Sequence, residues 1–203
     1  PVGAAIGSVI GQLAAGTKYQ LQDSGLNLRA SQGNLSASTY SIETREKSFF
    51  RGTQTRTTDK PVDDKAAASY LRSFEAVNQS FTGALNRYAA YFEQDVRAYD
   101  AVKGTVFGET LSFKGLSLDE QQTKIQQFFQ DYGDALVNYS VPGLDKMQKA
   151  GETLIDTLNR VTRVTMTTDI AFKSIFNLGS EAAKGLLGST NKEGRLDLAR
   201  EIG

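Results

Sequence analysis

The chain has 203 residues, of which 39% are hydrophobic and 23% charged, so it can form one or two ordinary domains. Its 23 lysine and arginine residues balance 23 aspartate and glutamate residues, and this zero net charge argues against a sequence-specific nucleic-acid partner. The absence of cysteine and histidine excludes disulfides, Ser-His-Asp and Cys-His catalytic sites and the HExxH zinc site. We therefore predict no enzymatic activity, no metal site and no cofactor.

Residues 1–17 form an apolar segment rich in glycine and alanine, with no charge before Lys18. Gly3, Gly7 and Gly11 are spaced by four, which places them on one face of a helix. Helix backbones can approach closely at such a face, as small-xxx-small motifs do in membranes. We predict a glycine-rich helix that packs closely against another helix or enters a bilayer, with a Gly/Ala-rich linker as the alternative. Because the first residue is proline, we expect a cleaved or partial polypeptide.

Residues 18–58 are rich in Ser, Thr, Gln and Asn, with short alternating apolar runs such as Leu26 with Leu28. Alternation of this kind indicates strands with one solvated face, so we predict three or four antiparallel strands in a small sheet or in hairpins. Residues 23–25 (Asp-Ser-Gly) and 32–34 (Gln-Gly-Asn) are predicted to be the turns between strands. We place Phe49 and Phe50 near the start of the last strand.

A basic cluster surrounds Phe49 and Phe50 in the same region. Basic side chains next to aromatic rings can bind single-stranded nucleic acid. Nearby acidic residues weaken the positive field, however, and a charged, solvated sheet edge is the favoured interpretation. The basic residues are Arg45, Lys47, Arg51, Arg56 and Lys60.

Residues 59–104 are predicted to form a long helix, with Thr58 or Asp59 as its cap and Pro61 in its first turn. Aromatic and apolar residues recur along it at alternating steps of four and three, which is the heptad pattern of a coiled coil. We predict self-association through this seam, although its bulky rings fit a wide bundle, or packing of the helix on the sheet, better than a two-stranded coil. The seam consists of Tyr70, Phe74, Val77, Phe81, Ala84, Tyr88 and Tyr91.

The remainder is predicted to be a short strand or turn over residues 105–116, helical hairpins over 117–188 and a tail over 189–203. Ser117 and Glu120 form a capping box that begins one helix, and Val141, Pro142 and Gly143 end it and begin the next. The expected fold class is therefore α+β: an apolar N-terminal helix, a small antiparallel sheet, a long helix and helical hairpins, assembled as an oligomer.

The composition still permits catalysis by a pair of carboxylates, a lysine or a tyrosine, and a cell-wall hydrolase would use a pair of carboxylates. Such an enzyme needs two carboxyl groups about 5 to 9.5 Å apart across a cleft, and no spacing in the sequence singles out a pair. A hydrolase is less favoured than the two functions described below, a structural protein and a membrane-active module. The acidic residues in question are Glu109, Asp119, Glu120, Asp131, Asp134, Asp145 and Glu152.

The order of several motifs resembles the C-terminal region of tail tape measure proteins of long-tailed bacteriophages. Residues 18–31 (KYQLQDSGLNLRAS) and 33–57 (GNLSASTYSIETREKSFFRGTQTRT) follow the glycine-rich start, as in that family. Residues 112–161 then contain KGLS, an acidic helix start, a Tyr-Gly break at Tyr132 and Gly133, and PGL followed by QKAGE. The resemblance covers most of the chain, but the aromatic helix and the residues after Met166 take no role from it.

The resemblance implies a structural virion protein that lies in the tail tube and whose C-terminal part is held in the tail tip by hub and distal tail proteins, in three copies. On infection such proteins leave the tube and help DNA to pass the host envelope, with apolar segments contacting the inner membrane. We therefore expect the chain to be the C-terminal anchor of a longer protein, with roles in tail assembly and DNA ejection. The alternative is a membrane-active, pore-forming module unrelated to phage tails, which would use the same glycine face.

Overall fold

The computed structural model describes residues 19–46, 52–92 and 106–164. These residues form an α+β fold with a four-stranded antiparallel sheet and three helices, so the coarse fold class is confirmed. The predicted helix over residues 1–17 and the tail over 189–203 lie outside the described residues, and assembly as an oligomer remains a prediction. The elements are β1 (Gln20–Ser31), β2 (Asn34–Glu46), β3 (Thr53–Pro61), α1 (Asp64–Phe92), β4 (Phe107–Ser112), α2 (Leu118–Ser140), a 3-10 turn (Leu144–Met147) and α3, which begins at residue 154 and is described as far as 164.

The sheet has the strand order β3-β2-β1-β4, with every neighbouring pair antiparallel. A two-residue turn joins β1 to β2, and Gln32 and Gly33 both have positive φ, at 54° and 75°. Such a turn matches the twist of the two strands, and glycine adopts this conformation without steric cost. The turn predicted at residues 32–34 is thus confirmed, and residues 105–116, for which a short strand or turn is predicted, contain the strand β4.

The turn predicted at residues 23–25 is wrong, because β1 runs through this segment without interruption. The pairing with β2 shifts by one residue between Leu21 and Asp23, which is a β-bulge. Gly25 follows the bulge and lies close to the backbone of β4: a Cβ at this position would lie 1.9 Å from the carbonyl oxygen of Leu111. Residues 23–25 have the composition of a local turn, but they lie in a strand and allow β4, which is distant in the sequence, to pack closely against β1.

Helix α1 begins later than predicted, because the residues proposed as its cap belong to the sheet. Thr58, Asp59 and Pro61 all lie in β3. The carboxylate of Asp63 accepts a hydrogen bond of 2.9 Å from the backbone N–H of Ala66, which is the usual geometry of an N-cap. The helix is described as far as Phe92, so the predicted extension to residue 104 lies outside the described residues.

The described residues belong to two compact units, and α1 and α2 each contribute to both. The first unit contains the sheet, residues 64–76 of α1 and residues 118–132 of α2; the second contains residues 77–92 of α1 and residues 133–164. Each has its own buried apolar core, and full burial of one such side chain contributes about 1.5–3 kcal/mol. The first core includes Leu26, Leu28, Tyr70, Phe74, Leu111, Phe128 and Tyr132, and the second includes Phe81, Leu85, Tyr88, Leu136, Val137, Leu158 and Val161.

The predicted capping box of α2 is confirmed. The backbone N–H of Ser117 donates to Glu120 at 2.7 Å, and the N–H of Glu120 donates to the Ser117 hydroxyl at 3.3 Å. The break expected at Tyr132 and Gly133 is wrong, because α2 is continuous from Leu118 to Ser140. A Cβ on Gly133 would lie 2.9 Å from Cδ1 of Ile155, so the glycine makes room for close packing within the second unit.

Region 117–188 differs from the prediction, because its described part, residues 117–164, contains no long helical hairpins. Helix α2 does end before residues 141–143, where Gly143 has φ of +88°, but the turn that follows is a four-residue 3-10 helix. Gly151, with φ of +83°, separates this turn from α3. A second capping box then begins α3: the N–H of Asp156 donates to the Thr153 hydroxyl, and the N–H of Thr153 donates to the Asp156 carboxylate.

Candidate functional site at the open edge of the sheet

The edge strand β3 is the most accessible regular element among the described residues. Within residues 19–46, 52–92 and 106–164 it pairs with β2 alone, and eight of its nine residues are exposed to solvent. Its pairing with β2 is regular over the whole strand, without a bulge. Edge strands are commonly protected by bulges, short length, internal proline or charged side chains. Of these, β3 has charged side chains, including Arg56 and Lys60, whereas Pro61 stands at its very end. Strand β3 therefore offers an uninterrupted backbone edge.

The alternation of hydrogen bonds between β2 and β3 shows which backbone groups of β3 point to the open edge. The N–H of Val62 donates to the carbonyl of Ala37, and this pair continues the register of β2 with β3. In an antiparallel ladder hydrogen-bonded pairs alternate with non-bonded ones, so even-numbered residues of β3 bond to β2. The odd-numbered residues Thr53, Thr55, Thr57 and Asp59 therefore direct their N–H and C=O groups away from β2. Pro61 has no N–H, and it occupies an odd-numbered position where the ladder requires none.

A cluster of charged and aromatic side chains lies at one end of the β2–β3 pair. Arg56 forms a salt bridge of 2.5 Å with Glu43 on the neighbouring strand. The guanidinium carbons of Arg56 and Arg45 lie 5.1 and 5.8 Å from the centre of the Tyr19 ring, within the range of cation–π attraction. We refer to Tyr19, Glu43, Arg45 and Arg56 as the arginine–tyrosine cluster. Of the five basic residues grouped in the sequence, the structure brings Arg45 and Arg56 together, whereas Lys47, Arg51, Phe49 and Phe50 lie outside the described residues.

A second polar network ties the strands together through Asp23. One carboxylate oxygen of Asp23 accepts hydrogen bonds from the Ser24 N–H at 2.8 Å and the Ser112 hydroxyl at 2.7 Å, and the other accepts from the Tyr40 hydroxyl at 3.0 Å. Burial raises the pKa of Asp23, but the hydrogen bonds outweigh burial and hold the pKa below its usual value. The pKa of Tyr40 is raised by burial and by its bond to Asp23. The network links β1, β2 and β4, so its role is to hold the sheet together.

In the second unit, the carboxylate of Glu152 also has a structural role. The Arg160 guanidinium donates to both oxygens of Glu152 and to the Met147 carbonyl. This arginine, followed by hydrogen bonds from the Lys149 N–H and the Thr157 hydroxyl, lowers the pKa of Glu152 to about 2. These contacts hold the loop between the 3-10 turn and α3 against α3.

The predicted self-association seam consists largely of core residues of this chain. Tyr70, Phe74, Phe81, Ala84 and Tyr88 are each at most 2% exposed, Val77 is half-buried, and Tyr91 lies in the last turn of α1. Phe74 stacks on Tyr132 of α2 with 5.2 Å between ring centres, and burial raises the pKa values of Tyr70 and Tyr88 to about 12. Packing within one chain thus accounts for the periodicity, and association through these rings remains a prediction. Gly3, Gly7 and Gly11 lie outside the described residues.

Several of the acidic side chains considered for hydrolysis have structural partners. Glu120 caps α2, Glu152 binds Arg160, and Asp134 accepts a hydrogen bond of 2.7 Å from the N–H of Leu154. Across residues 19–46, 52–92 and 106–164 no group of three or more acidic side chains is arranged to hold a metal ion. Within the same ranges no helix is both long enough and apolar enough to cross a membrane.

Tyr19 is the site residue that sequence reasoning missed, because a single tyrosine beside an alternating strand pattern gives no sign of its contacts with distant arginines. Its contacts with Arg45 and Arg56 depend on the pairing of β2 with β3, in which Glu43 lies opposite Arg56 and Arg45 opposite Gln54. A charge pattern that is complementary between two predicted strands could have indicated this register. Comparisons of the chain with models of protein families, with curated proteins and with solved structures found no match.

Proposed function

We propose that this chain is the C-terminal anchor of a tail tape measure protein, a structural component of the virion held in the tail tip of a long-tailed phage. The observation that carries the proposal is the order of motifs in residues 18–57 and 112–161, which resembles that region of the family. On this proposal the chain works by binding neighbouring proteins, and it leaves the tip on infection to help DNA through the host envelope.

The sheet supports treating the two motif regions as parts of one structural unit. Strands β1 and β2 come from the first region, and β4, which ends at Ser112 where the second region begins, pairs with β1. The hydrogen bond from Ser112 to Asp23 joins the two regions through side chains as well. The two regions therefore meet at Ser112, the last residue of β4.

The distribution of polar groups favours a binding role. Asp23, Glu120 and Glu152 satisfy hydrogen-bond donors of the chain itself, whereas no described element covers the backbone edge of β3. Three copies are proposed in the tip, as the resemblance implies. If copies met through the aromatic seam, its buried rings would have to exchange contacts within the chain for contacts with another copy.

Immunogold labelling of purified phage particles tests the proposal. Antibodies raised against the chain should label the tail tip of intact particles, and the label should leave the tip after DNA ejection is triggered with the host receptor. Antibodies against the major tail tube protein provide the control, because their label should stay along the tube. Absence of the polypeptide from the particle, or label confined to the capsid, would refute the proposal.

A further inference from the structure

We infer that the open edge of β3 binds an extended acidic segment of a partner protein as an additional strand of the sheet. The inference deepens the proposed function and rests on it, since it states how a tail-tip partner would hold this chain. Addition of a strand to a sheet edge takes affinity from backbone hydrogen bonds and specificity from alternate side chains.

The backbone of β3 meets the first requirement. Thr53, Thr55, Thr57 and Asp59 direct N–H and C=O groups toward the open edge, as the phase of the β2–β3 ladder shows. These residues are all exposed, so no described element covers them. Threonine also favours the extended conformation, which reduces the cost of keeping the strand ready for a partner.

The charges near this edge select the chemistry of the partner. Gln54, Arg56, Thr58 and Lys60 share one face of β3, and the register places Arg45 and Glu43 of β2 on the same face. Among these described residues the face carries three cationic side chains and one carboxylate. An incoming strand meets this face with alternate residues, so acidic side chains opposite Arg56 and Lys60 would be four residues apart.

A second copy of the chain fits the same edge less well. Edge-to-edge antiparallel pairing about a two-fold axis keeps each residue on its own face of the continuous sheet. In the full-length register centred on Thr57, Arg56 of one copy is diagonal to Arg56 and Lys60 of the other, at about 7–8 Å. Like charges at this separation oppose the pairing, and an acidic partner removes that repulsion.

The test uses the full chain and a synthetic peptide of alternating threonine and valine, nine residues long, with glutamates at its third and seventh positions. The symmetric placement allows the peptide to pair in either direction. A matched peptide carries lysines at the same positions, and binding is followed by fluorescence anisotropy. We expect the glutamate peptide to bind about tenfold more tightly than the lysine peptide, because two exposed ion pairs become two repulsions. Equal binding, or no binding of the glutamate peptide, would overturn the inference.

Backbone variants test the strand geometry directly. Thr57→Pro removes an N–H that faces the open edge while leaving the β2 ladder intact, so the affinity should fall about tenfold; Thr57→Val keeps the N–H and should leave it unchanged. A peptide methylated on the nitrogens that face β3 gives the same test without altering the protein, and methylation of the opposite nitrogens is its control. Wild-type affinity for Thr57→Pro, or equal affinity of the two methylated peptides, would contradict strand addition.

Three further results test this inference, and the last two separate it from the proposed function. Sedimentation equilibrium showing a dimer that Thr57→Pro dissolves would replace the acidic partner with a second copy and overturn the inference. Peptide binding by a chain that is absent from the particle would support the inference and refute the tail-tip proposal. Antibody labelling of the tail tip, together with no binding of the acidic peptide, would support the tail-tip proposal and refute the inference.

Discussion

Gly25 is the position at which one added methyl group should do most damage to the sheet. A Cβ there would lie 1.9 Å from the carbonyl oxygen of Leu111 and 2.8 Å from Cε1 of Tyr40. Since carbon and oxygen atoms approach no closer than about 3.3 Å, β4 would have to move away by about 1.4 Å. The oxygen belongs to the backbone, so no change of side-chain rotamer can relieve the clash.

Gly25→Ala should therefore lower the free energy of unfolding by about 3 kcal/mol. Overpacking in a tight site costs about 1–3 kcal/mol, and each hydrogen bond lost between β1 and β4 adds about 1 kcal/mol. The pairs affected first are Gly25 with Ser112 and Leu26 with Leu111. Urea unfolding followed by far-UV circular dichroism measures the total, and hydrogen exchange of the β4 amides shows whether the loss is located there.

Gly108→Ala is the matched control on the neighbouring strand. A Cβ at Gly108 would lie 3.5 Å from Cγ of Arg29, which is ordinary contact, and 3.3 Å from the Leu28 carbonyl oxygen, which is tight but requires a shift of only a few tenths of an ångström. This substitution should change the free energy of unfolding by less than about 1 kcal/mol, because alanine also reduces the entropy of the unfolded chain. Unfolding of Gly25→Ala at the wild-type urea concentration, or equal destabilisation of both variants, would contradict the close approach of β4 to Gly25.

Three further predictions concern helix ends and the loop that precedes α3. Because the pKa of Glu152 falls from 4.5 to about 2, its stabilising effect is complete above pH 4.5 and is lost as the pH falls toward 2; Glu152→Gln should remove this part of the acid dependence in unfolding curves recorded from pH 7 to 2. Ser117→Ala should cost about 1 kcal/mol in urea unfolding, because it deletes the cap of α2, and an unchanged midpoint would contradict that role. Asp63→Ala should cost about 1 kcal/mol by removing the cap of α1, whereas Thr58→Ala should not weaken the helix; the reverse order would restore the cap predicted from sequence.

Features that depend on a few neighbouring residues were predictable from the sequence. The turn at residues 32–34 requires a tight two-residue loop with glycine, and the capping box of α2 requires Ser117 and Glu120 three residues apart. Both are satisfied by backbone and side-chain groups within a few positions, so the local pattern carries the information. The alternation of Leu26 and Leu28 likewise predicted a strand, and both side chains are buried.

Features that depend on distant partners were predicted wrongly or missed. Asp23 and Gly25 have the composition of a turn, yet their conformation is set by Ser112 and Leu111 on β4. Pro61 was assigned to the first turn of a helix, but pairing with Ser38 places it in β3. The heptad spacing of α1 identified buried residues correctly without showing which surface covers them, because packing within a chain and between chains impose the same period.

The candidate site shows the same division between local and distant information. A charged sheet edge was predicted from composition, and Arg45 and Arg56 lie close to an exposed edge strand. The phase of the ladder, which determines the backbone groups that face outward, follows from the register of β2 with β3 and could not be derived from either strand alone. The contacts of Tyr19 with Arg45 and Arg56 depend on the same register, so they could not be predicted from the sequence either.

A cryo-electron microscopy map of the intact tail tip would show whether this chain is held there by strand addition. We expect density that fits the four-stranded sheet inside the tip, with an extended segment of a neighbouring protein running along Thr53–Pro61 and acidic side chains near Arg56 and Lys60. A tip that is fully explained by other polypeptides, with no place for this sheet, would show that the chain is not a tail-tip protein.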